Sequence, residues 1–291
     1  MKKILLYLLL LVPVCISCQE EKLDPDSIFQ DQETEKTEFD LWLERNYVQP
    51  YNIRFEYRLP DNETSFSYWV TPPEVQKAIM VAKTIKHLTL ECIVEMMSTD
   101  DPDVDPALFL KTYFPRVLFM VGNYHISNTG TVTLASAENG VQINVLGVNF
   151  FDDPYEDGCQ IAGTLVHEFM HILHTAAQVP LEFHTITEDK YVGSTYTNLG
   201  NDYHLHGFVN NYARSSIAED VAVTGAALIC ETESTWDKWY AAGGETGGAI
   251  LKKKHDLLKK WLYDSYGVDS DKWRDAYWKS PVCVTPEAQC R

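Results

Sequence analysis

The stretch "AGTLVHEFMHILHTAAQ", Ala162–Gln178, sets two histidines, His167 and His171, around Glu168 in an otherwise apolar run. An α-helix turns once in about 3.6 residues, so both imidazoles lie on one face and can reach one metal ion. Glu168 projects about 100° round from His167, where it can hold an activated water without ligating the metal. Two neutral histidines suit zinc, whose catalytic sites keep three protein ligands and an open position. Zinc acidifies water, and Glu168 takes the proton as that water attacks a carbonyl. No charge other than Glu168 interrupts the run from Thr164 to Leu173. The competing explanation is an amphipathic helix carrying two satisfied histidines, and a third ligand decides between them.

A metzincin continuation would place Gly at 174 and His at 177; the chain has His174 and Ala177, so that class is rejected. His174 is expected to line the cleft or to support a ligand. His184, His204 and His206 fall in loop-like sequence and are expected to be surface or cleft histidines rather than a second metal pair.

The chain has 291 residues and a formal net charge of -18. Phosphate binding needs clustered Lys and Arg, so nucleic acid is excluded as a partner. An anionic membrane would also repel it, so only an anchor could hold it at a membrane. "MKKILLYLLLLVPVCISC" has a basic start and an apolar run too short for an ordinary spanning helix, the form of a secretory signal over residues 1–17. Ser17-Cys18 after such a run resembles a bacterial lipoprotein signal, with Cys15 in the place usually taken by Leu. That resemblance implies lipid on Cys18. Residues 18–40 are polar, their carboxylates far outnumber Lys22 and Lys36, and they read as a tether. Acidic residues in that position resemble the surface-export signals of Bacteroidetes lipoproteins. Beyond Cys18, the odd set Cys92, Cys159, Cys230, Cys283 and Cys290 cannot pair completely within the chain. Cys283 and Cys290 could close a small loop, and the others read as buried thiols.

Along the chain, Asn52–Leu59 and Thr64–Val70 alternate as two strands around a turn. Val75, Ile79, Ala82, Ile85, Ile93 and Met97 mark one face of a long backing helix. Arg116–Asn123 is a buried strand, and Asn139-Gly140 sits between two alternating runs as a hairpin turn. Asp157 caps the histidine helix, and Pro180 stops it. Loop-like sequence follows to about Asn211. Helix returns from Ser215, is broken at Gly243-Gly244 and Gly247-Gly248, and ends in two amphipathic helices.

For the third ligand, Glu182 and Glu188 come early and lack a motif. Glu231 in "CETESTW" lacks the N-x-x-E-x-x-x-D setting of gluzincins. The best candidate is Glu219 in "NNYARSSIAEDVAVTGA", which opens a helix behind Tyr212. A carboxylate there is also what a helix N-terminus favours, and that fits the neighbouring Asp220 equally; the spacing to Tyr212 favours Glu219. Tyr-x6-Glu after H-E-x-x-H is similar to the lethal-factor-like metallopeptidases of the zincin clan. With the lipoprotein signal and "GFVNNYA", the chain resembles the zinc-binding metallopeptidase lipoproteins of Bacteroidetes, the substrate import-associated zinc metallohydrolases that accompany SusC/SusD-type importers. The resemblance implies that Glu219 ligates zinc with His167 and His171, and that Tyr212 donates a hydrogen bond to the developing oxyanion. Val223 stands where the pattern has its final Glu, so a ligand contact is missing or supplied by Asp220.

The expected fold is α+β and zincin-like. A small twisted sheet with a backing helix and the zinc helix fills residues 41–179, and a mainly helical lobe, residues 180–291, brings Glu219 to the cleft. The Asn139-Gly140 hairpin supplies the strand at the cleft edge, where an extended peptide could add. The expected function is that of a zinc metallopeptidase, anchored at the outer-membrane surface, acting on peptide or protein. Alternatively, and motivated by Val223, it is an accessory lipoprotein of a nutrient importer that keeps zinc without turnover.

Overall fold

The computed structural model describes residues 35–58, 70–126, 132–138 and 140–282. The signal, Cys18, nearly all of the tether and of the strand expected over Thr64–Val70, Asn139, Cys283 and Cys290 lie outside the described residues.

The first helix, α1, runs from Glu38–Leu43 through a π turn, Glu44–Val48, into Gln49–Tyr51. It begins inside the stretch read as tether, because Phe39 and Leu43 enter an aromatic cluster with Tyr47, Phe55 and Tyr57. After β1 (Arg54–Glu56), α2 comprises Val75–Ile85, a π turn over Lys86–Leu90, and Glu91–Met97. Its buried face is Ala78, Val81, Ala82 and Ile85, then Leu88, Ile93 and Met96, whereas Val75 is exposed. The π turn adds a residue to one helical turn and rotates the second half, so a single 3.6-residue stripe misplaces the ends of the face.

Next come α3 (Leu108–Tyr113), β2 (Val117–Met120), β3 (His125–Ile126), β4 (Val132–Thr133), β5 (Ala135–Glu138) and β6 (Gln142–Val145). The four-stranded sheet has the order β1-β2-β6-β5. β2 is parallel to β1 and β6 and is buried at all four residues, which is why it reads as an unbroken apolar run. Leu118 and Met120 enter the main core, while Val117 and Phe119 join a smaller cluster with Val121 and Leu146 on the other face. β5 returns antiparallel to β6 and lies at the sheet edge.

The histidine helix is α4 (Glu156–Ala176). Asp157 lies inside its first turn, and its carboxylate accepts from the backbone N–H of Asp152 and Asp153, 2.7 and 2.8 Å away, fastening the preceding turn. Ala162, Leu165, Val166, Phe169, Met170 and Leu173 form its buried face. Beyond α5 (Leu181–Thr185), four short 3-10 turns lead to α6 (Ile217–Cys230). Ser216 caps α6, its hydroxyl accepting from the Glu219 N–H at 3.2 Å. The chain breaks at Glu231, where φ and ψ are extended, and α7 (Glu233–Tyr266) follows. α7 kinks at Gly244 (φ 63°, ψ -161°) and continues through Gly247 and Gly248. Gly247 abuts the His204 carbonyl so closely that no Cβ fits, so this second glycine pair admits a packed turn rather than ending the helix. The last helix is α8 (Ser270–Lys279). From α7, the Trp261 indole donates to the Ala177 carbonyl at 3.1 Å and the Tyr266 hydroxyl to that of Leu173, satisfying the end of α4.

Candidate metal centre

α4 and α6 pack directly against each other. Their approach depends on Gly225, where a Cβ would lie 2.8 Å from Met170 Cγ. This packing sets the first turn of α6 over the histidine face of α4. His167 Nε2 and His171 Nε2 are 3.2 Å apart. Glu219 Oε2 lies 3.2 Å from the first and 3.3 Å from the second. All three side chains are largely shielded from solvent, and Glu219 Oε2 receives no well-directed hydrogen bond.

Two imidazole nitrogens and a carboxylate oxygen that converge this closely form a ready-made set of cation ligands. Ligands about 2.1 Å from a tetrahedral zinc lie about 3.4 Å from one another, close to the observed triangle, and His, His and carboxylate is a catalytic zinc donor set. The residues therefore fit the metal. Among the described residues this is the one cluster of three or more His, Cys, Asp or Glu able to hold an ion. Burial opposes charge on Glu219, but hydrogen bonding and charge from the two imidazoles hold its carboxyl well below the usual range.

Glu168 lines the same cleft as His167 and Tyr212, an open groove of about 920 Å³. The Tyr212 ring stacks on His167 with centroids 6.0 Å apart, and Tyr196 closes on it from 5.3 Å. Burial, then the negative charge of Glu219, push the Tyr212 phenol well above its ordinary value, so it stays a donor.

Asp220, the other carboxylate of that turn, goes elsewhere. It is fully buried and pairs with Lys254 Nζ at 2.6 Å, with further bonds from the Tyr191 hydroxyl at 2.8 Å and the Thr224 hydroxyl at 3.2 Å. Of the two alternatives opened by Val223, a missing contact or one from Asp220, these bonds leave Asp220 with no contact to either histidine ligand. Lys254, also fully buried, lies 3.8 Å from the centre of the Phe208 ring. His174 is buried and packs against His184 and Trp261 at 6.1 and 6.5 Å. His204 Nδ1 meets the Phe208 carbonyl at 3.0 Å, and His206 meets Asp202 at 3.1 Å, so these two do not form a metal pair. Glu182 pairs with Lys253. Glu231 lies far along α6 at the other end of the cleft, which Val223 also lines. The aromatic wall of that end, Trp239, Tyr277 and Trp278, escapes sequence reasoning, because nothing in an amphipathic helix says which aromatics border a cavity.

A family model described as "Putative zinc-binding metallo-peptidase" matches residues 32–271. A crystal structure described as a "putative zinc-binding metallo-peptidase" from Bacteroides caccae is similar at 28% identity and a TM-score of 0.71, over 89% of this chain and 97% of that one. Among curated proteins, none matches.

Proposed function

We propose that this chain, which belongs to the family of zinc-binding metallo-peptidases, hydrolyses peptide bonds in the cleft between α4 and α6. One observation carries the proposal: three potential ligand atoms, His167 Nε2, His171 Nε2 and Glu219 Oε2, converge within 3.3 Å of one another beside a cleft that Glu168 also lines. Zinc held there supplies a Lewis acid that acidifies water and polarises a carbonyl. Glu168 accepts the proton of the attacking water and returns it to the departing amine nitrogen. Tyr212 donates to the carbonyl oxygen as negative charge grows on it. Thr133, Leu134 and Ala135 border the cleft beside edge strand β5, where an extended substrate can align its main chain. The accessory alternative, motivated by Val223, gains no support from membership of a peptidase family.

The test is Glu168→Gln. It should keep one zinc per chain by metal analysis and lose cleavage of a peptide library that the unaltered protein digests. Loss of zinc as complete as in His171→Ala would make Glu168 a ligand and overturn its assignment.

Anchoring through Cys18, exposure at the outer-membrane surface and association with importer components are proposed on the N-terminal sequence and its resemblance alone.

A further inference from the structure

We propose that the end of the cleft remote from the metal ligands receives a lysine or arginine side chain of the substrate, held by Glu231 between aromatic faces. This rests on the peptidase reading and names its substrate class: peptides with a basic residue two or three positions from the bond cut.

Glu231 caps the C-terminal end of α6 and borders the cleft together with Trp239, Tyr277 and Trp278. Among the described residues no lysine or arginine lines the cleft. Among the described residues Glu231 makes no ion pair, although it is more than half withdrawn from water; burial raises its carboxyl, and the Thr235 hydroxyl pulls it back only in part. Other shielded carboxylates on these helices do have a cation: Asp220 has Lys254, Glu91 has Lys86 and His87, and Asp271 has Lys259. A carboxylate that has lost hydration without gaining a cation is a vacancy for one. Trp239 and Trp278, which are partly exposed where Tyr277 is buried, favour the same guest, since a cation over a ring face is attracted by its quadrupole. An apolar side chain would cover Glu231 and leave it unpaired, and an acidic one would meet Glu231, Glu168 and a chain of net charge -18.

The distance suits this. Glu219 and Glu231 are separated by the length of α6, roughly 18 Å at 1.5 Å per residue. An extended peptide advances roughly 3.3 Å per residue, so a long side chain two or three residues from the bond cut spans the remainder.

The full chain, zinc-loaded, is given fluorogenic decapeptide pools in which Lys, Arg, norleucine or Glu is fixed at each position in turn. At one position Lys and Arg pools should exceed norleucine by about tenfold in kcat/KM, the scale of one good charged contact. Glu231→Gln should bring that ratio close to one, and Glu231→Lys should turn the preference toward Glu. In parallel, the Glu168→Gln protein is titrated with the Lys and norleucine pools, and tighter binding of the Lys pool should vanish in the double variant with Glu231→Gln. Cleavage or binding with no preference for Lys and Arg at any position overturns the pocket and leaves the peptidase reading standing. Preferential Lys binding with no cleavage of any pool supports the pocket and removes the peptidase reading. Failure to bind either pool overturns the pocket.

Discussion

Replacing Tyr212 by Phe removes one hydroxyl and keeps the ring that stacks on His167. If the hydroxyl acts only as charge develops, Tyr212→Phe should retain zinc and lower kcat about a hundredfold with little change in KM. A near-natural kcat in steady-state assays would remove Tyr212 from the mechanism. His171→Ala should abolish stoichiometric zinc in metal analysis, because two donors cannot replace three. At this scale the histidine pair is legible in the sequence, since a four-residue interval reports a shared helical face whatever the fold. Glu219 and Asp220 are not separable in the same way. They are adjacent, both suit a helix N-terminus, and what parts them is Lys254, a residue on another helix that claims Asp220. Glu231 is visible in the sequence only as a poor ligand candidate, and its place at the far end of the cleft depends on where α6 stops.

At the level of elements, the position of Glu219 depends on how closely α6 approaches α4. Gly225→Ala would bring a Cβ to 2.8 Å from Met170 Cγ. The helices must part by a fraction of an ångström, so thermal unfolding should show a loss of about 1–3 kcal/mol. Zinc affinity should fall with it, because the ligand triangle spans the two helices, and an unchanged affinity by chelator competition would show that the triangle tolerates the shift. Lys254→Met should be more severe, about 3–5 kcal/mol, since it leaves Asp220 charged and buried. Denaturant titration would measure both. Strand β2 and the antiparallel pair of β5 with β6 are readable because their patterns are local. The face of α2 is only half readable: a π turn leaves no compositional mark, yet it rotates everything after it. The break at Glu231 is likewise silent, as no Gly or Pro announces it; the chain turns there so that Trp236 can bury against the end of α6, donating to the Ala227 carbonyl at 3.3 Å.

For the whole molecule, the expected anchor is tested by labelling. Fatty acid should enter the natural chain and not Cys18→Ala, and equal labelling would direct attention to Cys15. The α+β architecture follows from patterns spread over the chain, whereas the meeting of α4 with α6 is a long-range contact that no window of sequence contains. That meeting has a further consequence. His171 and Glu219 are far apart in sequence, and the chain between them runs through α5, four short 3-10 turns and the loops that join them. A metal joining them works as a removable cross-link. Because the ligands meet only in the folded chain, zinc stabilises that state by mass action, about 4 kcal/mol when free zinc is a thousandfold above its dissociation constant. Without zinc the same segment keeps its packing and such contacts as Glu182 with Lys253 and Tyr191 with Asp220 but loses the metal link, so limited proteolysis in chelator should cut first between Leu181 and Asn211, and zinc should suppress those cuts. A protein of this design is then cleared by its neighbours' proteases whenever it lacks metal, and the surviving population is the loaded one.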